Sequence, residues 1–287
     1  MKKVIYYIVN VISVVVAFLF FNFAMVGILK SFGPISLVLM FSYLLLVHVL
    51  KFLRLYFIIL EEKVPLGEAV RLYVKTTLVG ILIPFKLGEI FKMYCVGYKI
   101  GNYRKGVAVI LVEKFFDAVM ILASIIFSLA IGGVSVSVGY LAVLLLVFII
   151  TMIALYCLFE PTYLYLNRFF ITKSKGRKSL VSLRVLERIR IAYNDAKNML
   201  KGRQLIVLML SMACWALEFL FVAVVDMKLV SRVNMNGFLE YISGGFSGQR
   251  GDAFWCYTVA CSLIFVVIAV ITYIYKFIRV ARGAKKS

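Results

Sequence analysis

Long apolar stretches recur along this chain, and their spacing predicts its architecture. A helix needs about 20 consecutive apolar residues to cross the hydrocarbon core of a bilayer. Six segments meet that length, namely 4–29, 35–58, 107–131, 138–159, 205–230 and 253–278. The predicted fold class is therefore all-α, a polytopic membrane protein with about six transmembrane helices.

One segment, 69–100, departs from this pattern. Its apolar stretch from Leu78 to Phe85 is too short to cross a bilayer, and Pro84 and Gly88 interrupt it. Proline removes a backbone donor and clashes inside a helix, whereas glycine tolerates backbone angles that other residues avoid. We predict two half-length helices, 69–83 and 88–99, which enter and leave the membrane on the same side as a re-entrant hairpin.

The composition agrees with a chain filled by membrane spans. Hydrophobic residues make up 64% of the chain and charged residues 16%, and the mean hydropathy is +1.02. A soluble domain carries more charge and fewer apolar residues. The first apolar run is too long and too aromatic for a cleaved signal peptide, so we interpret it as a retained helix. We expect a single membrane domain over 1–287 and no soluble catalytic domain.

The excess of basic residues predicts the orientation. A net charge of +20 would indicate a nucleic-acid partner in a soluble protein. In a membrane protein, lysine and arginine collect on cytoplasmic loops instead. With both termini and the hairpin mouth in the cytoplasm, most of the 33 lysines and arginines lie on that side, including a basic loop over 160–204. A single crossing by 69–100 would put this loop outside. We therefore predict a multi-pass protein of the cytoplasmic membrane, with both termini cytoplasmic and no nucleic-acid partner.

Part of the basic loop, 180–200, has the pattern of an amphipathic helix. Its apolar residues recur at steps of three and four, and its basic residues lie elsewhere on the helical wheel. The apolar set is Leu186, Ile189, Tyr193, Ala196 and Leu200. Such a helix either lies on an anionic leaflet or packs against the rest of the protein, and the sequence leaves both interpretations open.

The cysteines and the histidine give no support to several kinds of chemistry. The five cysteines contain no CxxC or Cys/His pattern, so disulfides and metal sites are unsupported. His48 is the one histidine, and nothing places it beside a nucleophile. We expect it to be a hydrogen-bonded packing residue. The expectation is therefore no catalytic residue, no metal and no cofactor.

A group of charged residues near the helix break is the first candidate site. Glu113 and Asp117 are four residues apart, so both carboxylates share one face of helix 107–131, and Lys114 is adjacent. We predict that they form a polar cluster with residues of the hairpin and line a cavity that admits a lipid headgroup. The hairpin residues are Lys86, Glu89 and Lys92. The alternative is a structural ion-pair network that holds the hairpin in place.

Other basic residues of the hairpin are candidates for headgroup contacts. Lys86 and Lys92 flank the break, where helix ends and ammonium groups could together hold a lipid phosphate. Arg71 and Lys75 stand on the preceding half-helix and could guide headgroups from the cytoplasmic leaflet.

The interior of two long spans also carries charge. Glu218 lies near the middle of helix 205–230, and Trp215 precedes it by three residues on the same face. A functional role is the favoured interpretation of so deep a carboxylate. On helix 35–58, Lys51 and Arg54 follow His48 at steps of three. We interpret these two as snorkelling to the cytoplasmic interface.

At these residues the chain resembles the flippase-like membrane family that includes the transmembrane region of lysylphosphatidylglycerol synthases. Two motifs are fairly specific together with their spacing. They are Pro84-x-x-x-Gly88-Glu89 with Tyr94 downstream, and Glu113-Lys114-x-x-Asp117, which is similar to the family's Glu-Arg-x-x-Asp. Weaker support comes from Trp215-x-x-Glu218, Arg54 and the glycine-rich turn at 248–252, which ends in Asp252. The resemblance covers nearly the whole chain.

The resemblance implies movement or accommodation of an anionic lipid between leaflets. The lipid would be a phospholipid or a polyprenyl-phosphate glycolipid. One alternative is a non-transporting membrane partner that presents lipid to a membrane-associated transferase. The other is a short phosphatidylglycerol lysyltransferase-type protein that lacks the soluble catalytic domain. In each case the resemblance implies anionic membrane lipids as partners.

Overall fold

The computed structural model describes residues 2–19, 26–27, 29–30, 32–83, 87–132, 136–172, 177–229 and 252–284. Within these ranges the chain is helical and contains no strand, which confirms the all-α fold class. The helices are α1 (Lys2–Leu19), α2 (Pro34–Ile58), α3 (Leu66–Leu82), α4 (Leu87–Ile100), α5 (Tyr103–Gly132), α6 (Val136–Thr172), α7 (Arg177–Leu200), α8 (Gln204–Leu229) and α9 (Asp252–Ala284). A short 3-10 turn, Leu60–Glu62, follows α2.

Helices lie at all six predicted spans, although in the first of them, 4–29, the described helix ends at Leu19. Three apolar stretches in the described part of the chain are long enough to cross a membrane, namely Pro34–Ile58, Gly139–Thr172 and Gln204–Val225. Helices α1, α5 and α9 lie at the other three predicted positions. The membrane-type fold is thus confirmed, and the number of crossings stays a prediction.

The predicted break separates α3 from α4, and the two helices form a hairpin. At the open end, Lys99 Nζ and Glu68 Oε2 are 2.5 Å apart. At the closed end, Gly88 lies so close to Gly80 that a Cβ on Gly88 would stand 2.4 Å from the Gly80 Cα. Pro84 and Lys86 lie outside the described residues. The position of this hairpin relative to the bilayer stays a prediction.

Glycines also set the close packing of α4 against α5. Gly101 has a φ of +80°, and this left-handed conformation ends α4 and lets the chain reverse into α5. A Cβ on Gly106 would lie 2.4 Å from the Met93 carbonyl oxygen and 2.6 Å from the Gly97 nitrogen. The two backbones are therefore in direct contact, which brings the charged residues of α5 beside those of α4.

Helix α2 runs through the middle of the bundle and packs against α3, α5, α8 and α9. It is antiparallel to α8. In the first half of α2, the Tyr43 hydroxyl donates to the Leu217 carbonyl oxygen of α8 at 2.8 Å. Leu44, Val47 and Leu55 of α2 are almost completely buried. This central position turns the polar residues of α2 toward neighbouring helices rather than toward lipid.

The glycine contact at the closed end of the hairpin gives a test of its packing. Gly88→Ala is expected to lower the thermal midpoint, because the new methyl group meets backbone atoms of α3. Overpacking of this kind costs about 1–3 kcal/mol. Gly80→Ala is the matched control, since a Cβ there meets no atom of the described residues within 4 Å. Tryptophan fluorescence during heating in detergent measures both, and equal midpoints would contradict the close approach.

Candidate functional site

Arg54 of α2 is the centre of a buried ion-pair network. Only 2% of the residue is exposed. Its Nη2 donates to Glu113 Oε1 at 2.9 Å, and its Nη1 donates to Asp117 Oδ1 at 2.6 Å and to the Ser211 hydroxyl at 3.2 Å. The carboxylates that share one face of α5 therefore bind a single guanidinium. The Trp215 indole of α8 also donates to Asp117 Oδ1, at 3.0 Å.

Two lysines and one glutamate extend this network toward the hairpin. Lys92 of α4 donates to Glu113 Oε2 at 2.6 Å. Lys114 of α5 lies 2.6 Å from Glu89 Oε1 on α4 and 3.6 Å from Asp117 Oδ2. We call these six residues the ion network: Arg54, Glu89, Lys92, Glu113, Lys114 and Asp117. Three cations balance three carboxylates within it, which lowers the cost of placing so many charges in a helix bundle.

A second ion pair lies one helical turn away from the ion network. Lys51 and Arg54 are three residues apart on α2, and Glu218 and Trp215 are three residues apart on α8. The Lys51 ammonium is paired with Glu218, whose side chain is only 5% exposed. The Tyr257 hydroxyl of α9 donates to Glu218 Oε1 at 3.1 Å and accepts from Lys51 at 3.2 Å.

His48 makes the third polar position along the same face of α2. Its Nδ1 lies 3.0 Å from the Tyr73 hydroxyl of α3, and its Nε2 lies 3.2 Å from Cys261 Sγ of α9. The residue is 4% exposed, so the predicted packing role with hydrogen bonds is confirmed. We call His48, Lys51 and Arg54 with their partners the polar ladder, which extends about 9 Å along α2 at 1.5 Å per residue.

The structure corrects the interpretation of Lys51 and Arg54 as snorkelling residues. Both side chains turn into the bundle, where Lys51 meets Glu218 and Arg54 meets Glu113 and Asp117. The reason is that acceptors on α5 and α8 lie beside α2, and paired charges are far less costly there than unpaired ones.

The remaining predicted residues take several positions. Arg71 is exposed on α3. Lys75 faces α1, where its ammonium donates to the Tyr6 hydroxyl and to Asn10 Oδ1, each at 2.6 Å. Pro84 and Lys86 lie outside the described residues, as does the glycine-rich segment before Asp252. The structure therefore joins most of the candidate residues through the ion network and leaves Arg71 and Lys75 apart from it.

Several polar residues of the ladder were absent from the sequence prediction. Ser211, Tyr257 and Tyr73 bind Arg54, Glu218 and His48 respectively. One signal was available for Ser211, because it shares a helix face with Trp215 and Glu218 at steps of four and three. The tyrosines carried no signal, since a tyrosine in an apolar helix is ordinary.

The fold and the site together define a helical membrane protein with a charge-balanced polar interior. The family model of the lysylphosphatidylglycerol synthase TM region matches residues 7–242. The chain belongs to this family, which confirms the resemblance inferred from the motifs. The match connects the protein with lipid handling in a membrane. Neither the curated proteins nor the solved structures contain a significant match to the chain.

Proposed function

We propose that this protein binds the headgroup of an anionic lipid in its polar interior and moves it between leaflets. The observation that carries the proposal is the nearly complete burial of Arg54 between two carboxylates of α5, beside the broken hairpin. Ionisable groups inside a membrane helix bundle are costly and usually mark the path of a polar substrate. Membership of a lipid-related family supports a lipid as that substrate.

The ion network has an accessible edge where a headgroup could first bind. The side chain of Lys114 is 38% exposed and that of Glu89 is 29% exposed, whereas those of Arg54 and Glu113 are 3% and 8% exposed. A lipid phosphate could replace Glu89 as the partner of Lys114 with little rearrangement. Charge-assisted bonds between an ammonium group and a phosphate are strong enough to favour that exchange.

The interior offers further positions for the same headgroup. Arg54 Nε is a buried donor that has no hydrogen-bond partner among the described residues. The Lys51–Glu218 pair follows one turn further along α2 and α8. Exchange of partners along the polar ladder would let an anion advance without leaving a cation unpaired, which is the condition for passage at low dielectric.

A non-transporting role is the second candidate. In that case the protein would bind the same lipid at the Lys114 edge and present it to a membrane-associated transferase. The ladder would then be a structural core only. The observation in favour is that all of the carboxylates of the ion network already bind cations, as a structural network requires.

Lys114→Gln tests the proposed binding edge. We expect it to weaken binding of phosphatidylglycerol in nanodiscs by about tenfold or more, because a charge-assisted bond contributes about 1.5–3 kcal/mol. Lys105→Gln is the matched control, since it removes a lysine–glutamate pair of the same length, 2.6 Å, from the same helix. The control should change the affinity by less than about twofold, because Lys105 lies outside the proposed site.

A second measurement distinguishes transport from presentation. Movement of a fluorescent phosphatidylglycerol between leaflets of reconstituted vesicles is expected to fall in parallel with binding in Lys114→Gln. Binding without any movement in the unmodified protein would favour presentation to a transferase. Unchanged binding and movement in a folded Lys114→Gln variant would exclude Lys114 from the site and contradict the proposal.

A further inference from the structure

Helix α7 has two different faces, and only one of them packs against the part of the protein that the structure describes. On the packed face, Tyr163 of α6 donates to Glu187 Oε2 at 2.7 Å and accepts from Arg190 at 3.1 Å. Further along, Lys197 donates to Glu160 Oε1 at 2.9 Å. These contacts pair α7 with the last part of α6 in antiparallel fashion. We call the two segments 161–172 and 177–190 the basic arm.

The other face of α7 carries an exposed apolar stripe. Val181, Val185 and Ile189 are four residues apart and are 54%, 49% and 48% exposed. Of the apolar set predicted from the sequence, Ala196 and Leu200 pack against the buried core, whereas Ile189 is exposed and belongs to this stripe. The exposed stripe therefore shares only Ile189 with the predicted set, and the packing of α7 on α6 leaves it uncovered among the described residues.

Basic residues border this stripe and determine what could cover it. Arg184 and Arg188 are exposed and lie within one turn of the valines. The arm as a whole carries Arg168, Arg177, Lys178, Arg184, Arg188 and Arg190 against one glutamate, Glu187. Arginines beside an apolar stripe are the pattern of helices that lie in the interface of an anionic membrane.

The length of α6 brings the arm to that interface. Its 37 residues extend about 56 Å, whereas a hydrocarbon core takes about 20 residues. Pro161 lies inside the helix and removes one backbone hydrogen bond, so the part that follows it need not continue straight. The apolar helix α8 begins at Gln204, only a few residues after α7. Both ends of the arm are thus connected to apolar helices long enough to cross the membrane.

We infer that the basic arm docks on the anionic lipid surface of the membrane in which the protein resides, with the stripe Val181, Val185 and Ile189 inserted among the headgroups. The valines and the isoleucine supply apolar area, and Arg184 and Arg188 bind lipid phosphates. Docking depends on acidic lipid and weakens as salt is raised. This role is separate from the lipid site at Lys114, because the two lie on different helices and use different residues.

An environment-sensitive fluorophore on the full-length protein tests the docking. It is attached at Val185→Cys, and in a separate variant at Glu187→Cys, the control position two residues away. Both variants carry Cys157→Ser, which removes the one exposed cysteine among the described residues. The protein is placed as single copies in nanodiscs with or without phosphatidylglycerol. Position 185 is expected to shift to the blue with phosphatidylglycerol and to be quenched at least about twofold more than position 187 by spin-labelled lipid.

Charge variants, and nanodiscs that hold more than one copy of the protein, complete the test. Arg184→Gln with Arg188→Gln should reduce the docked-to-undocked ratio at position 185 by about tenfold or more. Equal quenching at 185 and 187 would overturn the inference, since the stripe would then be no closer to lipid than the packed face. A blue shift without lipid quenching would show that protein covers the stripe. A shift that appears only when a nanodisc holds more than one copy would show that a second copy covers it. Either outcome also overturns docking on lipid.

Discussion

Arg54→Gln is expected to remove most of the folded protein. The change leaves Glu113 and Asp117 inside the bundle without the guanidinium that binds both carboxylates. Breaking a buried ion pair from one side costs about 3–5 kcal/mol. The yield of monodisperse protein and the thermal midpoint in detergent measure the loss. Lys99→Gln is the control, because the side chains of the Lys99–Glu68 pair are 35% and 44% exposed and such pairs contribute at most about 1 kcal/mol.

A compensating variant separates charge balance from the individual bonds. Arg54→Gln combined with Asp117→Asn removes one charge of each sign, so the remaining cations and carboxylates of the ion network are again equal in number. We expect this double variant to recover much of the yield that Arg54→Gln loses. Failure to recover would mean that the hydrogen bonds of Arg54, and not the balance, hold the helices together. A single Arg54→Gln variant as stable as Lys99→Gln would contradict the whole assignment.

The Lys51–Glu218 pair is expected to show strong coupling in a double-mutant cycle. Glu218→Gln leaves the Lys51 ammonium without the carboxylate that pairs with it, and Lys51→Met leaves a 5% exposed carboxylate that accepts a hydrogen bond from Tyr257 but has lost its cation. Each single change should therefore lower the thermal midpoint. The double change restores neutrality, and we expect a coupling of about 1–3 kcal/mol between the two sites. Additive effects would show that the two charges do not depend on each other.

The same double variant tests the proposed path through the polar ladder. It keeps Arg54 and the accessible Lys114 edge, but it lacks both charges of the middle position. If headgroups advance along the ladder, the folded double variant should bind phosphatidylglycerol normally and move it at least about tenfold more slowly. Normal movement in the folded double variant would restrict the Lys51–Glu218 pair to a structural role. Weakened binding with normal folding would place the pair in the initial site.

Local patterns in the sequence predicted the elements of the site well. The apolar runs located the long helices, and Pro84 with Gly88 located the break between α3 and α4. The four-residue spacing of Glu113 and Asp117 predicted a shared face, which the structure shows as a shared partner. These predictions succeeded because they depend on the period of one helix and on the backbone chemistry of single residues.

The interpretation of Lys51 and Arg54 as snorkelling residues was wrong because it considered one helix alone. Within helix α2 alone, two basic residues near one end are typical of snorkelling side chains. Their acceptors lie 59 or more residues away along the chain, as the Arg54–Glu113 bond shows. Counting charges would have helped, because a carboxyl group as deep as Glu218 must be either protonated or paired with a cation. The sequence could state that requirement without identifying the cation.

The sequence by itself determined the class of the molecule, the positions of its helices and the residues that needed polar partners, since apolar length and charge act locally on each segment. Only the tertiary structure decided which partners they received. Glycine contacts bring α4 against α5, and α2 packs beside α8 and α9, so that Arg54 meets two carboxylates and Lys51 meets Glu218. The same packing leaves one face of α7 exposed among the residues that the structure describes. Choices among distant partners depend on how whole helices pack, because every charge in the interior must be balanced by a neighbour that packing alone supplies.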